Sequence, residues 1–321
     1  MTLPIDTCPP RPRPGGATGF VTLAGAGPGD PELLTLKAAR RLAEADLVLY
    51  DGLVPNEVVA LAKRAQHFSV SKRAGRPESR VVEQETIHRL MIRGARRGKH
   101  VVRLKSGDPF LLGRGGEEAL ALVAAGVPFE VIPGVSAAVA APELAGIPLT
   151  HRGVASGFTV VSGHAAEAFE PILGALAPGS MTVIVLMGLR NRARIAETLL
   201  RRGWRASVPA AVVLAASTPG MRLWTGRLEE LGSVRLDTGE GRTGAPGTIV
   251  VGDVAGLGGL IGGAAAPART VDAIALARPD GRGAALPSRG SLAARNAYGA
   301  NASRVPSGAA ASGSDPARVV S

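Results

Sequence analysis

A single cysteine, Cys8, stands in a chain of 321 residues, which leaves no internal disulfide and no thiolate cluster for zinc or iron–sulfur. The five histidines, His67, His88, His100, His151 and His164, never fall into HxxxH or HExxH spacing, so no metal site is expected and each histidine reads as structural. Phe, Trp and Tyr together make up 3% of the chain, too little aromatic surface to stack a run of unpaired bases, and a nucleic-acid partner is not expected. No apolar run approaches the roughly 20 residues of a membrane helix. The opening MTLPIDTCPPRPRPGGATG lacks the basic start and apolar core of a secretion signal, so a cytoplasmic location is expected.

What is present is a chain with 45% hydrophobic residues, long enough for two ordinary domains. Residues 1–19 read as a loose Pro-rich arm. Residues 261–321, rich in Ala, Gly, Ser, Pro and Arg without sustained periodicity, read as a disordered tail. The net charge is +11; seven arginines against three aspartates from residue 265 onward, and two against one in the arm, leave a surplus of six in the middle. That surplus suits an acidic ligand and equally serves solubility.

Between arm and tail, β-rich runs alternate with helical periodicity. The runs are FVTLAG, DLVLYD, HFSVS, HVVRLK and FEVIPG, then FTVVSG, MTVIVLMG, VPAAVVLA, MRLWTG and GTIVVGD. Apolar residues at three- and four-residue spacing predict helices over 31–44, 80–97, 114–125, 136–145 and 189–202. Alternation of this kind means α/β, and strands apolar on both faces require sheets covered on both sides. The Gly, Pro and polar residues of GIPLTHRGVASG, 146–157, mark a boundary between domains at 20–148 and 149–260.

Two turns concentrate bare backbone. After the first strand comes GAGPGDPELL, where Gly25, Gly27 and Gly29 allow close approach, Asp30 caps a helix and Pro31 opens it. After the fourth comes SGDPFLLGRGGEE, where Gly107 permits close approach, Asp108 either binds a ligand or initiates a turn, and Arg114 with the helix start favours anions. Carboxyl ends of strands are where open α/β sheets bind ligands. A dinucleotide-binding fold is the runner-up, with Asp51 as the ribose carboxylate, but GxGxxG fails at Asp30 and no GxxxxGK[ST] occurs.

VTLAGAGPGDPELLTLKA, LVLYDGLV, SKRAG, VVRLKSGDPFLLGRGGEE, VIPGVSAAVA, GIPLTHR, VSGH and VLMGL together, in this order, resemble the motifs of uroporphyrinogen-III C-methyltransferases, of the tetrapyrrole methylase superfamily. The resemblance covers about residues 20–255. It implies a two-domain tetrapyrrole methylase fold, each domain a sheet flanked by helices, with S-adenosylmethionine in a trough between them. It further implies a homodimer that methylates uroporphyrinogen III at C2 and C7 to give precorrin-2 and S-adenosylhomocysteine. By motif position the implied cofactor contacts are Pro28, Ser106, Gly107, Asp108, Leu111, Ser136, Ala137, Met187 and Ala216. The implied proton acceptor is Asp51 and the implied donor Lys72. Ser106 replaces a usual glycine, as Ala216 often does, His88 stands where Asn is common, and Pro142 predicts a kink near Ala138.

The residue types suit this chemistry. Methyl transfer to a pyrrole carbon is an in-line displacement that gains from alignment and exclusion of water, and needs no metal. The alkylated macrocycle must lose a proton, a task for a carboxylate such as Asp51. Lys72, Lys105, Arg114 and Arg152 are the cations expected to meet the substrate's carboxylates. A ligand-binding protein, an RNA methyltransferase, and a methyltransferase of a later precorrin are the alternatives.

Overall fold

The computed structural model describes residues 19–70, 84–236, 245–261 and 269–270; the arm, Lys72 and nearly all of the tail lie outside them. The first sheet holds β1 (Phe20–Gly25), β2 (Leu47–Tyr50), β3 (Gln66–Ser69), β4 (His100–Lys105) and β5 (Phe129–Ile132). All pairings are parallel and the order is β3-β2-β4-β1-β5. One face is covered by α1 (Leu36–Ala43) and α2 (Asn56–Val59), whose Ala38, Leu42, Val58 and Val59 meet Ala24, Val48, Val102 and Leu104. The other is covered by α3 (Gln84–Arg96) and α4 (Gly115–Ala124), whose Ile87, Met91 and Leu122 meet Val21, Leu23 and Val101.

The second sheet is mixed. Its strands are β6 (Phe158–Ser162), β7 (Thr182–Leu186), β8 (Pro209–Leu214), β9 (Arg222–Arg227), β10 (Gly247–Val251) and β11 (Arg269–Thr270), in the order β11-β9-β8-β10-β7-β6. Strand β10 runs antiparallel to both neighbours, so β7 and β8 point the same way and end on the same edge. Alternation along these strands sends Val183, Val185, Val212 and Ile249 to a core under α6 (Ala166–Ala175), α7 (Arg192–Arg201) and α8 (Leu228–Leu231). Val213 and Val250 face the opposite way, against Ala141 of α5 (Ala137–Leu144) and Ala145 and Ile147 just after it. A last short helix, α9 (Gly258–Ile261), follows β10.

All ten β-rich runs are strands, and both sheets fall within one compact unit ending at Ala273. Two expectations need correction. The helix expected over 31–44 is broken: Asp30 caps only a 3-10 turn, Pro31–Leu33, and Thr35 then caps α1 through its hydroxyl. Within the expected tail, Arg269–Thr270 pairs with Arg222–Leu223 of β9, and Ile261 still belongs to α9. Among the described residues no helix is long and apolar enough to cross a membrane, and no group of His, Cys, Asp or Glu could hold a metal ion.

Candidate active site

Strand β1 connects through α1 toward β2, whereas β4 connects through α4 to β5 on the opposite side, so the chain reverses between the neighbours β1 and β4. That is the switch point where α/β sheets leave a crevice. Here the two Gly-rich turns meet in a two-residue bridge: Gly107 N–H donates to the Gly27 carbonyl at 2.8 Å, and Gly27 N–H to the Gly107 carbonyl at 3.3 Å. Gly27 and Gly107 both sit at positive φ, 75° and 68°. The tightest approach lies beside them. A Cβ on Gly134 would fall 2.2 Å from the Gly107 carbonyl oxygen, and one on Gly25 would fall 2.5 Å from that oxygen and from the Gly134 Cα.

Gly107 itself has room for a methyl group, with Ser136 Cα at 3.7 Å and Ala137 N at 3.8 Å from a built Cβ. Its glycine is required by φ rather than by closeness. Gly113 and Gly115 serve the loop's own fold, since a Cβ on either would strike the Pro109 carbonyl. Asp108 is likewise committed: Oδ1 accepts from the amides of Phe110 (2.8 Å) and Leu111 (3.0 Å), and Oδ2 from that of Gly134 (3.1 Å). The turn-forming reading of Asp108 therefore describes its side chain. Ser136 accepts from the Ala138 amide as the cap of α5.

The second sheet contributes its carboxyl edge. Gly29 packs against Thr218 and the carbonyls of Ala216 and Ser217, and the Asp30 amide donates to the Ser217 hydroxyl at 2.6 Å. Thr248, opposite Leu186 in the β7–β10 pairing, directs its hydroxyl to the Ala137 carbonyl at 3.5 Å. Pro28, Ser106, Gly107, Ser136, Ala137 and Ala216 are thereby brought together at one junction, with Met187 at the end of β7 beside it. Among the described residues five non-glycine residues have positive φ: Leu112, Arg114, Met187, Ala215 and Ser217, all in loops at the ends of β4, β7 and β8. Backbone held in that region costs energy and gathers at binding sites. Met187 is 51% exposed, so it is not core; Phe110, Leu111 and Leu112 are exposed as well.

Asp51 lies one strand over, its amide on the carbonyl of Leu104, two residues before Ser106. It ends β2, and β4 separates β2 from β1, whereas the dinucleotide-binding order sets β2 beside β1. The ribose role for Asp51 loses its geometry. Asp51 instead meets a buried charge network that the sequence reading missed. Arg103 Nη2 donates to Asp51 Oδ1 at 2.5 Å and Arg103 Nε to Glu118 Oε1 at 3.0 Å. Lys105 Nζ donates to the same Glu118 oxygen at 3.0 Å, and Gln84 Nε2 donates to it at 3.1 Å. Burial, together with the Arg103 charge, pushes the Lys105 ammonium below the ordinary lysine range, while Glu118 and Asp51 pull the other way. A cation so enclosed is not available to substrate carboxylates, contrary to expectation. Arg114 is turned outward in a two-pronged pair with Glu117, which raises its pKa, and Arg152 is exposed in the turn closed by His151 and Ala155. The signal for the network was two charges, Arg103 and Lys105, inside a strand whose every residue is buried.

A model of the Tetrapyrrole (Corrin/Porphyrin) Methylases matches residues 21–232. The chain belongs to this family. A uroporphyrinogen-III C-methyltransferase of Methanocaldococcus jannaschii is 43% identical over 240 residues, 74% of this chain and 97% of that protein. A siroheme synthase of Tolumonas auensis is also 43% identical, over 75% of this chain but 50% of its own, so the chain spans about half the length of that relative. Among solved structures, a Thermus thermophilus uroporphyrin-III C-methyltransferase complexed with S-adenosylhomocysteine superposes with a TM-score of 0.63. It is 45% identical, and the match covers 74% of this chain and all of that one. The family's fold, two helix-flanked sheets, is that of this chain.

Proposed function

We propose that this member of the family methylates uroporphyrinogen III twice, at C2 and C7, with S-adenosylmethionine as donor, giving precorrin-2 and S-adenosylhomocysteine. The observation that carries this reading is the relative of that activity matched over 97% of its own length. The junction fits the donor. Small residues, Ser106, Gly107, Ala137 and Ala216, line it, loops with residues at positive φ border it, and exposed Met187 and Leu111 offer apolar cover for a nucleoside. These residues and Pro28 would hold the donor. When bound, it supplies an electrophilic methyl group. Asp108 contributes by shaping the loop and Ser136 by starting α5. Asp51 takes the proton that the alkylated macrocycle sheds. Lys72, outside the described residues, is the donor by motif. By the same resemblance the protein works as a homodimer in the cytoplasm, without nucleic acid or membrane.

The test is anaerobic incubation of the protein with S-adenosylmethionine and uroporphyrinogen III, followed by mass analysis. A gain of two methyl groups is expected. No gain, or turnover only on RNA or on an already methylated precorrin, would overturn the reading.

A further inference from the structure

We propose that Arg103, locked by Glu118, is the positioning residue for Asp51: it fixes one carboxylate oxygen so that the other faces the substrate. This rests on Asp51 being the proton acceptor. Strand β4 is buried along its whole length, and an apolar residue at 103 would continue the Val101–Leu104 pattern at no cost in desolvation. Instead a guanidinium stands there with all three nitrogens engaged. Nη2 holds Asp51, Nε holds Glu118, and Nη1 donates to the carbonyls of Leu104 (3.2 Å) and Leu49 (3.4 Å). A planar fork held at so many points cannot swing. Glu118, fully buried, is gripped in turn by Lys105 and Gln84 through the same Oε1.

Asp51 is thus attached to β4 twice, by its amide on the Leu104 carbonyl (3.2 Å) and by Oδ1 on Arg103. Among the described residues Oδ2 has no protein partner, and the side chain is 29% exposed. The two oxygens have different tasks: Oδ1 is the anchor and Oδ2 the acceptor. The four charges, Asp51, Arg103, Glu118 and Lys105, cancel, so the network can stay buried while one carboxylate edge opens outward. Lysine at 103 would keep the charge but lose the fork, and Asp51 would turn.

A double-mutant cycle with Asp51→Asn tests this, read as kcat, KM and calorimetric affinity for S-adenosylhomocysteine. Arg103→Lys should lower kcat roughly 10²-fold, the cost of a small misplacement of a reacting group, with KM and homocysteine-analogue affinity within a few-fold. Arg103→Gln should lower it further. In the Asp51→Asn background Arg103→Lys should cost almost nothing more, because the residue it positions has already lost its acceptor. Additive losses would overturn the proposal and leave the role of Asp51 intact. Normal turnover of Asp51→Asn alone would overturn the role of Asp51 and this proposal with it. Should the glutamine variant fail to fold, the lysine variant and its double mutant decide alone.

Discussion

Asp51→Asn keeps the shape of the side chain and the Arg103 contact but removes the acceptor, so turnover should fall by about 10²- to 10⁴-fold while S-adenosylhomocysteine affinity stays within a few-fold. Single-turnover kinetics with calorimetry checks both halves; unimpaired methylation would remove Asp51 from the reaction. Glycines divide by the reason for having no side chain. Gly107→Ala meets no atom closer than 3.7 Å and carries only the strain of φ 68°, about 1–2 kcal/mol, whereas Gly134→Ala drives a Cβ to 2.2 Å from a carbonyl oxygen. It should cost more than about 3 kcal/mol in urea unfolding; equal losses would contradict this ordering. His100 stacks on Phe20 with ring centroids 4.2 Å apart and hydrogen-bonds the Glu44 carbonyl through Nδ1. Burial lowers its pKa, helped by Arg41 and opposed by the Glu44 carbonyl and the Glu44 and Asp46 charges. As pH falls the unfolded chain takes up the proton first, so the stability from this group is full above about 6.5 and is lost as pH falls below it toward the folded value. Melting temperatures of the native protein and His100→Gln, compared between about pH 8 and pH 5, should diverge, the native protein losing more; parallel curves would exclude the effect. At this scale the sequence offered residue identity without direction. Gly107 was visible as important, yet whether φ or closeness demanded it depends on Ser136, 29 positions away, and Asp108 could bind a ligand or its own loop until the Gly134 amide was in place.

Elements were legible where their periodicity was long. The strands announced themselves because a buried parallel sheet needs apolar residues on both faces, and FVTLAG or HVVRLK could hardly be exposed. Short helices were not: α2, α8 and α9 have four residues each, and Pro171 inside α6 disguised a ten-residue helix. Strand β11, two residues long, has no pattern to read. Near residue 30 the signals were right and their reach was wrong. Asp30 and Pro31 start a 3-10 turn, and the chain turns again before Thr35, whose Oγ1 accepts from the Ala38 amide at 3.2 Å. Since Thr35 is the working cap of α1, Thr35→Ala should destabilise the protein by about 1 kcal/mol. Urea denaturation of Thr35→Ala measures this, and an undiminished midpoint would mean that α1 is held by its Ala38 and Leu42 contacts alone.

At the scale of the molecule, helix α5 decides how the two sheets are joined. The composition break at 146–157 suggested a division after α5, because Gly, Pro and polar residues gather there. Sequence alone cannot tell which sheet an Ala-rich helix covers, since small residues suit either. In the structure Ala141, Ala145, Ile147 and Ala155 pack on Ala211, Val213 and Val250, so this helix roofs the second sheet while its first turn borders the first-sheet loops. A fragment beginning at residue 149 would expose that face of the second sheet and forfeit, for Ile147 alone, roughly 1.5–3 kcal/mol of burial. One beginning at residue 133 keeps the helix. Expressed to residue 270, the longer fragment should unfold cooperatively in urea, whereas the shorter one should bind a hydrophobic dye and lose its near-ultraviolet dichroism. If the shorter fragment unfolds as cooperatively as the longer, α5 is a cover the second sheet can lose, and the natural division lies where the composition breaks.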